Sequence, residues 1–290
     1  MSGNTLQERL TQTSDQPIGD ILRSTHNLSA EQVQSVLEYQ KNNNVRFGEA
    51  AVALGVLKRD QVIWALSQQF DYPYPAQSEG QTVASELVAA NAPFSEEAEF
   101  FRDIRSQLIS SVFTGDIAHS IAVTSPSTGD GKSYFAANLA IVFAQLGART
   151  LLVDADMRTP IQHKLFGVDN SCGISSILSG RAEPNVIRAS SALPSLYILP
   201  VGVTPPNPLE LLERPMFGLL MKELVAKFDY VIIDTPSLSH GADGLIASSR
   251  AGATIAIARS GSTSRPALEK LIARLESTPT KFAGVILNQH

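Results

Sequence analysis

The apolar positions change rhythm twice along the chain. Between residues 15 and 70 they recur at helical spacing. Ile18, Ile21 and Leu22 lead to a break, then come Leu28, Val33, Val36 and Leu37. Phe47, Ala50, Ala51 and Leu54 follow, with a second break at Gly55 and then Leu57, Val62, Ala65 and Leu66. The two halves match at an offset of 29 residues, which aligns Gly19 with Gly48, Leu28 with Leu57, Val33 with Val62, Leu37 with Leu66 and Gln40 with Gln69. This register predicts two copies of one helical unit packed on each other. Ser29 followed by Gln32 predicts a capping box at the start of a helix.

Residues 71–93 lose the pattern, and the prolines and polar side chains of DYPYPAQSEG predict a linker. Helical spacing returns in SEEAEFFRDIRSQLISSVF, with Phe101, Ile104, Leu108 and Val112 on one stripe. Beyond Ser120 the rhythm changes again. Six apolar runs alternate with helical stretches: SIAVTS (120–125), RTLLVDAD (149–156), LYILPVG (196–202), DYVIIDTP (229–236), ATIAIARS (253–260) and FAGVILN (282–288). Continuous apolar runs are expected of strands covered on both faces. Their alternation with helices predicts an α/β fold, a doubly wound parallel sheet preceded by a small all-α domain. The expected organisation is a helical module over 1–70, a linker over 71–93 and an α/β domain over 94–290. In such sheets ligands sit beyond the carboxyl ends of the strands.

Composition narrows the function classes. With 43% hydrophobic and 18% charged residues among 290, the chain is globular rather than disordered. A net charge of −5 gives no global attraction to nucleic acid. The single cysteine, Cys172, forms no intrachain disulfide and no zinc site by itself. No apolar run reaches the roughly 18 to 20 residues of a membrane helix, and the first twenty residues are too polar for a secretory signal. The expectation is a cytoplasmic protein that meets the membrane through a partner.

The chemistry gathers at three strand ends. SPSTGDGKS (125–133) lies between an apolar strand and an amphipathic helix. Gly129 and Gly131 allow backbone N–H groups to turn inward around phosphate oxygens. In this reading Ser127, Thr128, Gly129, Asp130, Gly131, Lys132, Ser133 and the following Tyr134 form the ATP-binding segment. Lys132 reaches the β- and γ-phosphates and the Ser133 hydroxyl ligates Mg²⁺. Pro126 stands where the phosphate-loop pattern has its first glycine. LLVDADMR places Asp154 and Asp156 just past a strand, and VIIDTP places Asp234 at the end of another, where a carboxylate can hold magnesium.

These segments resemble the Walker A, Walker A′ and Walker B motifs of bacterial tyrosine kinases, the P-loop autokinases of capsule and exopolysaccharide synthesis of the EpsG and CpsD type. The resemblance covers roughly 94–288 and extends to GISSILSG (173–180), PPNPLELL (205–212) and GVILN (284–288). Related partition and septum-placement ATPases carry an extra lysine where this chain has Ser127. The family often has proline at the position of Thr128. The resemblance implies a protein-tyrosine kinase in which Lys132 stabilises transfer, Ser133 and Asp154 ligate magnesium with Asp234 in support, and Asp156 acts as the base. It implies a regulatory role in exopolysaccharide chain length and export, at the inner face of the membrane through a chain-length-determinant (polysaccharide co-polymerase) partner. Glu99, Arg102 and Arg105 match the family's E-x-x-R-x-x-R helix, which implies homo-oligomerisation. Family autokinases commonly end in a tyrosine cluster, whereas the six tyrosines here form none. A nucleotide-gated switch that controls assembly without phosphorylating tyrosine therefore stands as the alternative.

The amino-terminal repeat is similar to the MshE-type module of secretion and pilus ATPases. That resemblance implies a possible cyclic di-GMP site using Arg46, Phe47, Gly48 and Gln69 from the second copy and Ile18, Gly19 and Gln40 from the first. A helical interaction module without a small ligand is the other reading.

Overall fold

Residues 22, 28–58, 61–62, 65, 83–115, 119–181, 184–190 and 193–289 are described by a computed structural model. The chain divides into two units, Met1–Tyr74 and Pro75–His290.

In the first unit, α1 (Ala30–Asn43) starts as its sequence predicts. The Ser29 hydroxyl accepts the Gln32 N–H at 3.2 Å, and the Gln32 side chain accepts the Ser29 N–H at 2.9 Å. These two bonds satisfy donors that a helix start leaves open. Asn44 then leaves the helix in a left-handed conformation (φ 51°) and the chain enters α2 (Phe47–Ala53). Leu22, Leu28, Val36, Phe47, Ala50, Ala51, Leu57, Val62 and Ala65 form the core of this unit. Two positions on the expected stripes lie outside it, Leu37 at 46% and Leu54 at 40% exposure. On a helix adjacent side chains point about 100° apart, so Val36 takes the inward position and Leu37 does not. Ile18, Gly19 and Gln69 lie outside the described residues.

The second unit starts earlier than the sequence suggests. From Val83 the chain expected as linker is packed: Leu87, Ala89 and Ala90 are buried. Leu87 caps and Ala89 and Ala90 belong to α3 (Val88–Asn91), a four-residue helix too short to show a period in sequence. Then follow α4 (Glu96–Gln107), which widens into a π turn (Leu108–Val112), and β1 (Ser120–Thr124), α5 (Lys132–Ala144) and β2 (Thr150–Asp154). Next come α6 (Gln162–Leu165), α7 (Ile174–Leu178), β3 (Arg188–Ala189), β4 (Leu196–Leu199), α8 (Pro208–Glu213) and α9 (Pro215–Lys227). The chain continues through β5 (Tyr230–Asp234), a 3₁₀ turn (Leu238–His240), α10 (Asp243–Ser248), β6 (Ala253–Arg259), α11 (Arg265–Glu276) and β7 (Lys281–Asn288).

The seven strands are ordered β3-β4-β2-β5-β1-β6-β7. All neighbours are parallel except β3, which runs antiparallel to β4. Alternate strand residues feed two cores. Ile121, Val123, Leu152 and Ile232 pack with α5 on one face, and Ala122, Leu151, Val153, Val231 and Ile233 pack with Phe217, Met221 and Leu224 of α9 on the other. This is the two-residue period of a strand covered on both sides. From Phe135 to Ala144 α5 is buried all round, as a central helix must be apolar on every face. β2 and β5 lie to one side of β1, β6 and β7 to the other, so the loop after β1 sits where the winding direction changes, the usual ligand position. Among the described residues no helix is long and apolar enough to cross a membrane.

Candidate active site

The loop joining β1 to α5 is held open by its glycines and pinned by its neighbours. Gly129 (φ +87°) and Gly131 (φ +97°) are left-handed, a conformation costly for residues with a Cβ. A Cβ on Gly131 would also lie 2.3 Å from the Asn288 side-chain nitrogen. Asp130 organises the loop from inside. It accepts the Ser127 N–H at 2.8 Å and the Thr263 hydroxyl at 2.8 Å, while its carbonyl accepts from the Asn288 amide at 3.1 Å. Arg259 donates to the Gly129 carbonyl at 3.3 Å. The carboxyl ends of β6 and β7 thus fix a loop that leads into the helix N-terminus at Lys132, a position suited to an anion.

Behind the loop the three predicted aspartates converge, all of them buried. Asp154 and Asp234 are direct partners in the β2–β5 register. Asp154 accepts the N–H groups of Asp156 (3.2 Å), Ile161 (3.2 Å) and Gln162 (3.1 Å). The Gln162 amide donates to Asp234 Oδ2 at 2.8 Å and to the Ser133 carbonyl at 3.0 Å. Two acceptors on one amide nitrogen settle its orientation. Asp234 Oδ1 is buried without a hydrogen-bond partner.

Burial pushes the Asp154 carboxyl well above the usual carboxylate range, and the neighbouring charge of Asp234 adds to it. Asp234 is pushed up to about 6, again mainly by burial, with Lys132 and hydrogen bonds from Gln162 and Ser133 acting the other way. Two buried carboxylates side by side cannot both ionise cheaply unless a cation joins them. The orphaned Asp234 oxygen, the Ser133 hydroxyl and the Asp154 carboxylate are hard oxygen donors of the kind magnesium takes, with phosphate oxygens and waters completing the shell.

Asp156 sits against Lys132. Its Oδ2 lies 3.4 Å from Lys132 Nζ, an ion pair with 1% and 6% of the side chains exposed. It also accepts the Arg158 N–H (3.2 Å), the Thr159 N–H (3.0 Å) and the Thr159 hydroxyl (2.9 Å). These contacts make Asp156 the residue that holds Lys132 in this structure. Arg158, from the same segment, pairs with the buried Asp243 at the start of α10.

Sequence reasoning passed over Gln162, the Arg158–Asp243 pair and a cluster on the outer side of the loop. There Thr128 Oγ1 lies 3.1 Å from Ser237 Oγ and 3.4 Å from His240 Nε2, and Ser237 Oγ lies 2.8 Å from Ser239 Oγ. Beside the loop, Phe100, Phe101, Tyr134, Phe135, Ile257 and Ile286 line a cavity of about 700 Å³ that also touches Gly129, Gly131 and Asn288.

Glu99, Arg102 and Arg105 share a region of α4, and both arginines bond within the chain. Arg102 pairs with Glu99 at 2.6 Å and donates to the Pro93 carbonyl, and Arg105 donates to the Val142 carbonyl of α5 at 2.6 Å. In the first unit Gly48 is closely covered, since a Cβ there would lie 2.4 Å from Val62 Cγ1. Phe47 is in the core, Arg46 precedes α2, and Gln40 is half-buried on α1. Gly48 and Phe47 therefore serve packing, which is reason enough for those residue types.

Residues 121–290 match the CobQ/CobB/MinD/ParA nucleotide binding domain family. The chain is 34% identical to tyrosine-protein kinase CpsD of Streptococcus agalactiae, over 66% of this chain and 82% of that protein. It is 36% identical to tyrosine-protein kinase ptk of Acinetobacter johnsonii over 58% of its own length, which spans only 23% of that relative. Among solved structures, the chimerical protein CapA2B2 superimposes with a TM-score of 0.66 at 33% identity, covering 78% of this chain and 97% of that one.

Proposed function

The chain belongs to the bacterial tyrosine-protein kinases with a MinD/ParA-type nucleotide-binding domain, and from this premise we propose that it transfers the γ-phosphoryl group of ATP to tyrosine. The observation that carries the reading is the pairing of buried Asp154 and Asp234 behind a glycine-opened loop that presents Lys132 and Ser133. Ser133, Asp154 and Asp234 would hold Mg²⁺, which would supply charge neutralisation for the phosphoryl group in transfer. Lys132 rests on Asp156. An arriving triphosphate offers it a stronger, multiply charged partner, and Lys132 then carries charge that develops during transfer. Loop amides from Ser127 to Ser133 cradle the phosphates, and Tyr134 borders the apolar cavity that suits the adenine ring.

The family resemblance supports control of exopolysaccharide chain length and export through a membrane co-polymerase partner. It also supports self-association through the Glu99–Arg102–Arg105 helix. For the amino-terminal unit the close cover of Gly48 by Val62 favours an interaction module over a cyclic di-GMP receptor. Calorimetry of the full chain with cyclic di-GMP separates the two, because heat at micromolar ligand would select the receptor.

The kinase reading is tested by incubating the protein with MgATP and a tyrosine-containing polymer, with Lys132→Met as control. Phosphotyrosine in the wild type alone supports it. ATP hydrolysis without phosphotyrosine selects the nucleotide-gated switch instead.

A further inference from the structure

We infer that Thr159 positions the Asp156 carboxylate for the proton of the incoming tyrosine, its hydroxyl fixing which lone pair of Oδ2 faces the phosphate loop. The inference rests on the kinase reading above and on the base role that the resemblance gives Asp156, and it names what aims that base.

The surroundings of the carboxylate are the first argument. Oδ1 accepts two backbone donors, the N–H groups of Arg158 at 3.2 Å and of Thr159 at 3.0 Å. Oδ2 has two side-chain partners, the Thr159 hydroxyl at 2.9 Å and Lys132 Nζ at 3.4 Å. A carboxylate oxygen offers two lone pairs. When Lys132 turns to the triphosphate, the Thr159 hydroxyl keeps one lone pair of Oδ2. The other is left facing the space the ammonium held, beside the phosphate loop. The oxygen that takes the proton is therefore the one that carried the lysine, and nucleotide uncovers it.

The second argument is how Thr159 is carried. Asp156, Arg158 and Thr159 lie on one turn between β2 and α6. Asp154 holds both sides of that turn by accepting the N–H groups of Asp156 and Ile161. Arg158 Nε ties its middle to Asp243, which is buried at the start of α10. A β-branched side chain on a fixed backbone has few rotamers, so the hydroxyl direction is set. Thr159 itself is exposed and adds nothing to the core, and among the described residues its hydroxyl bonds to Asp156 alone.

The step balances without a further reagent. The phenolic oxygen forms a bond to the γ-phosphorus, and the bond from that phosphorus to the β,γ-bridging oxygen breaks. ADP leaves with the electron pair, and the phenolic proton passes to Asp156 Oδ2, which returns it to water. A positioned base contributes roughly 10² to 10⁴ in rate. One hydrogen bond to a charged group accounts for about tenfold of such an effect.

The test compares wild type, Thr159→Val, Thr159→Ser and Asp156→Asn in the full chain. Tyrosine phosphorylation is followed at saturating MgATP and varied acceptor, and rates are counted per nucleotide site by fluorescent-nucleotide titration, so that unfolded protein does not enter. Thr159→Val keeps the shape and removes the hydroxyl. It is expected to lower kcat about tenfold, with acceptor KM and nucleotide affinity within about twofold of wild type. Thr159→Ser, which keeps the hydroxyl, is expected to recover most of the lost rate, and Asp156→Asn to abolish transfer. The inference is overturned if Thr159→Val transfers within about threefold of wild type, if Thr159→Ser is as slow as Thr159→Val, or if nucleotide affinity falls as much as kcat. Absence of phosphotyrosine from the wild type overturns the kinase reading and this inference together. An active Asp156→Asn overturns the base role and this inference while the kinase reading stands, and an inactive Asp156→Asn beside an unaffected Thr159→Val overturns this inference alone.

Discussion

Asp154 and Asp234 stand beside each other in the parallel register of β2 and β5, and Gln162 bonds to both, through its backbone N–H to Asp154 and its side-chain amide to Asp234. Under the proposed function the pair is where a cation would bind. Asp234 binds its proton more tightly folded (to about 6) than its usual 3.8. The stability it contributes is therefore present below about pH 4 and is lost as pH rises through about 6.

Asp234→Asn is accordingly expected to stabilise the nucleotide-free protein at pH 7.5 by on the order of 2 kcal/mol, and to flatten its stability between pH 4 and pH 6. Thermal melting across that range checks it. The same variant is expected to lose magnesium-dependent nucleotide binding.

Lys132 and Asp156 form a buried pair, so removing one partner strands the other. Lys132→Met is expected to abolish transfer and to destabilise the fold by roughly 3 kcal/mol. Adding Asp156→Asn is expected to restore most of the melting temperature and none of the transfer. Recovery of activity in the double variant would contradict the phosphate role of Lys132.

Gln162→Leu keeps the volume of a wholly buried side chain and removes the donor to Asp234 and Ser133. Groups that orient metal ligands typically contribute 10- to 100-fold in metal affinity. The expected outcome is a magnesium requirement about tenfold higher with little change in kcat at saturating ion, read from a magnesium titration of activity.

Gly131→Ala places a Cβ in a left-handed conformation and against Asn288. The backbone cost alone is about 1 to 2 kcal/mol, and relieving it shifts the loop amides. Nucleotide affinity is expected to fall more than tenfold, measured by fluorescent-nucleotide titration, and Asn288→Ala added to it does not recover the loss, because the backbone strain remains.

The strands were legible because runs such as LLVD and VIID are apolar on both faces, which only a covered parallel sheet requires. The phosphate loop and the three aspartates were legible because each lies next to such a run. Gln162 was not, since it meets Asp234 across 72 residues and nothing local marks a buried glutamine as a bridge. Asp156 shows the converse limit: its spacing from Asp154 is visible in sequence, but its lone pairs are taken by Lys132, Thr159 and Arg158 only in the fold. The two-residue β3 and the four-residue α3 are too short to carry a period. The four groups around Thr128 come from two segments more than a hundred residues apart, brought together by the β1–β5 pairing.

The most direct test of the account is a crystal structure with magnesium and a non-hydrolysable ATP analogue. The account predicts the triphosphate inside residues 125–133, Lys132 released from Asp156 onto the β- and γ-phosphates, and the ion on Ser133 facing Asp154 and Asp234. A nucleotide bound elsewhere, with the Lys132–Asp156 pair intact and no ion near the two aspartates, would contradict it.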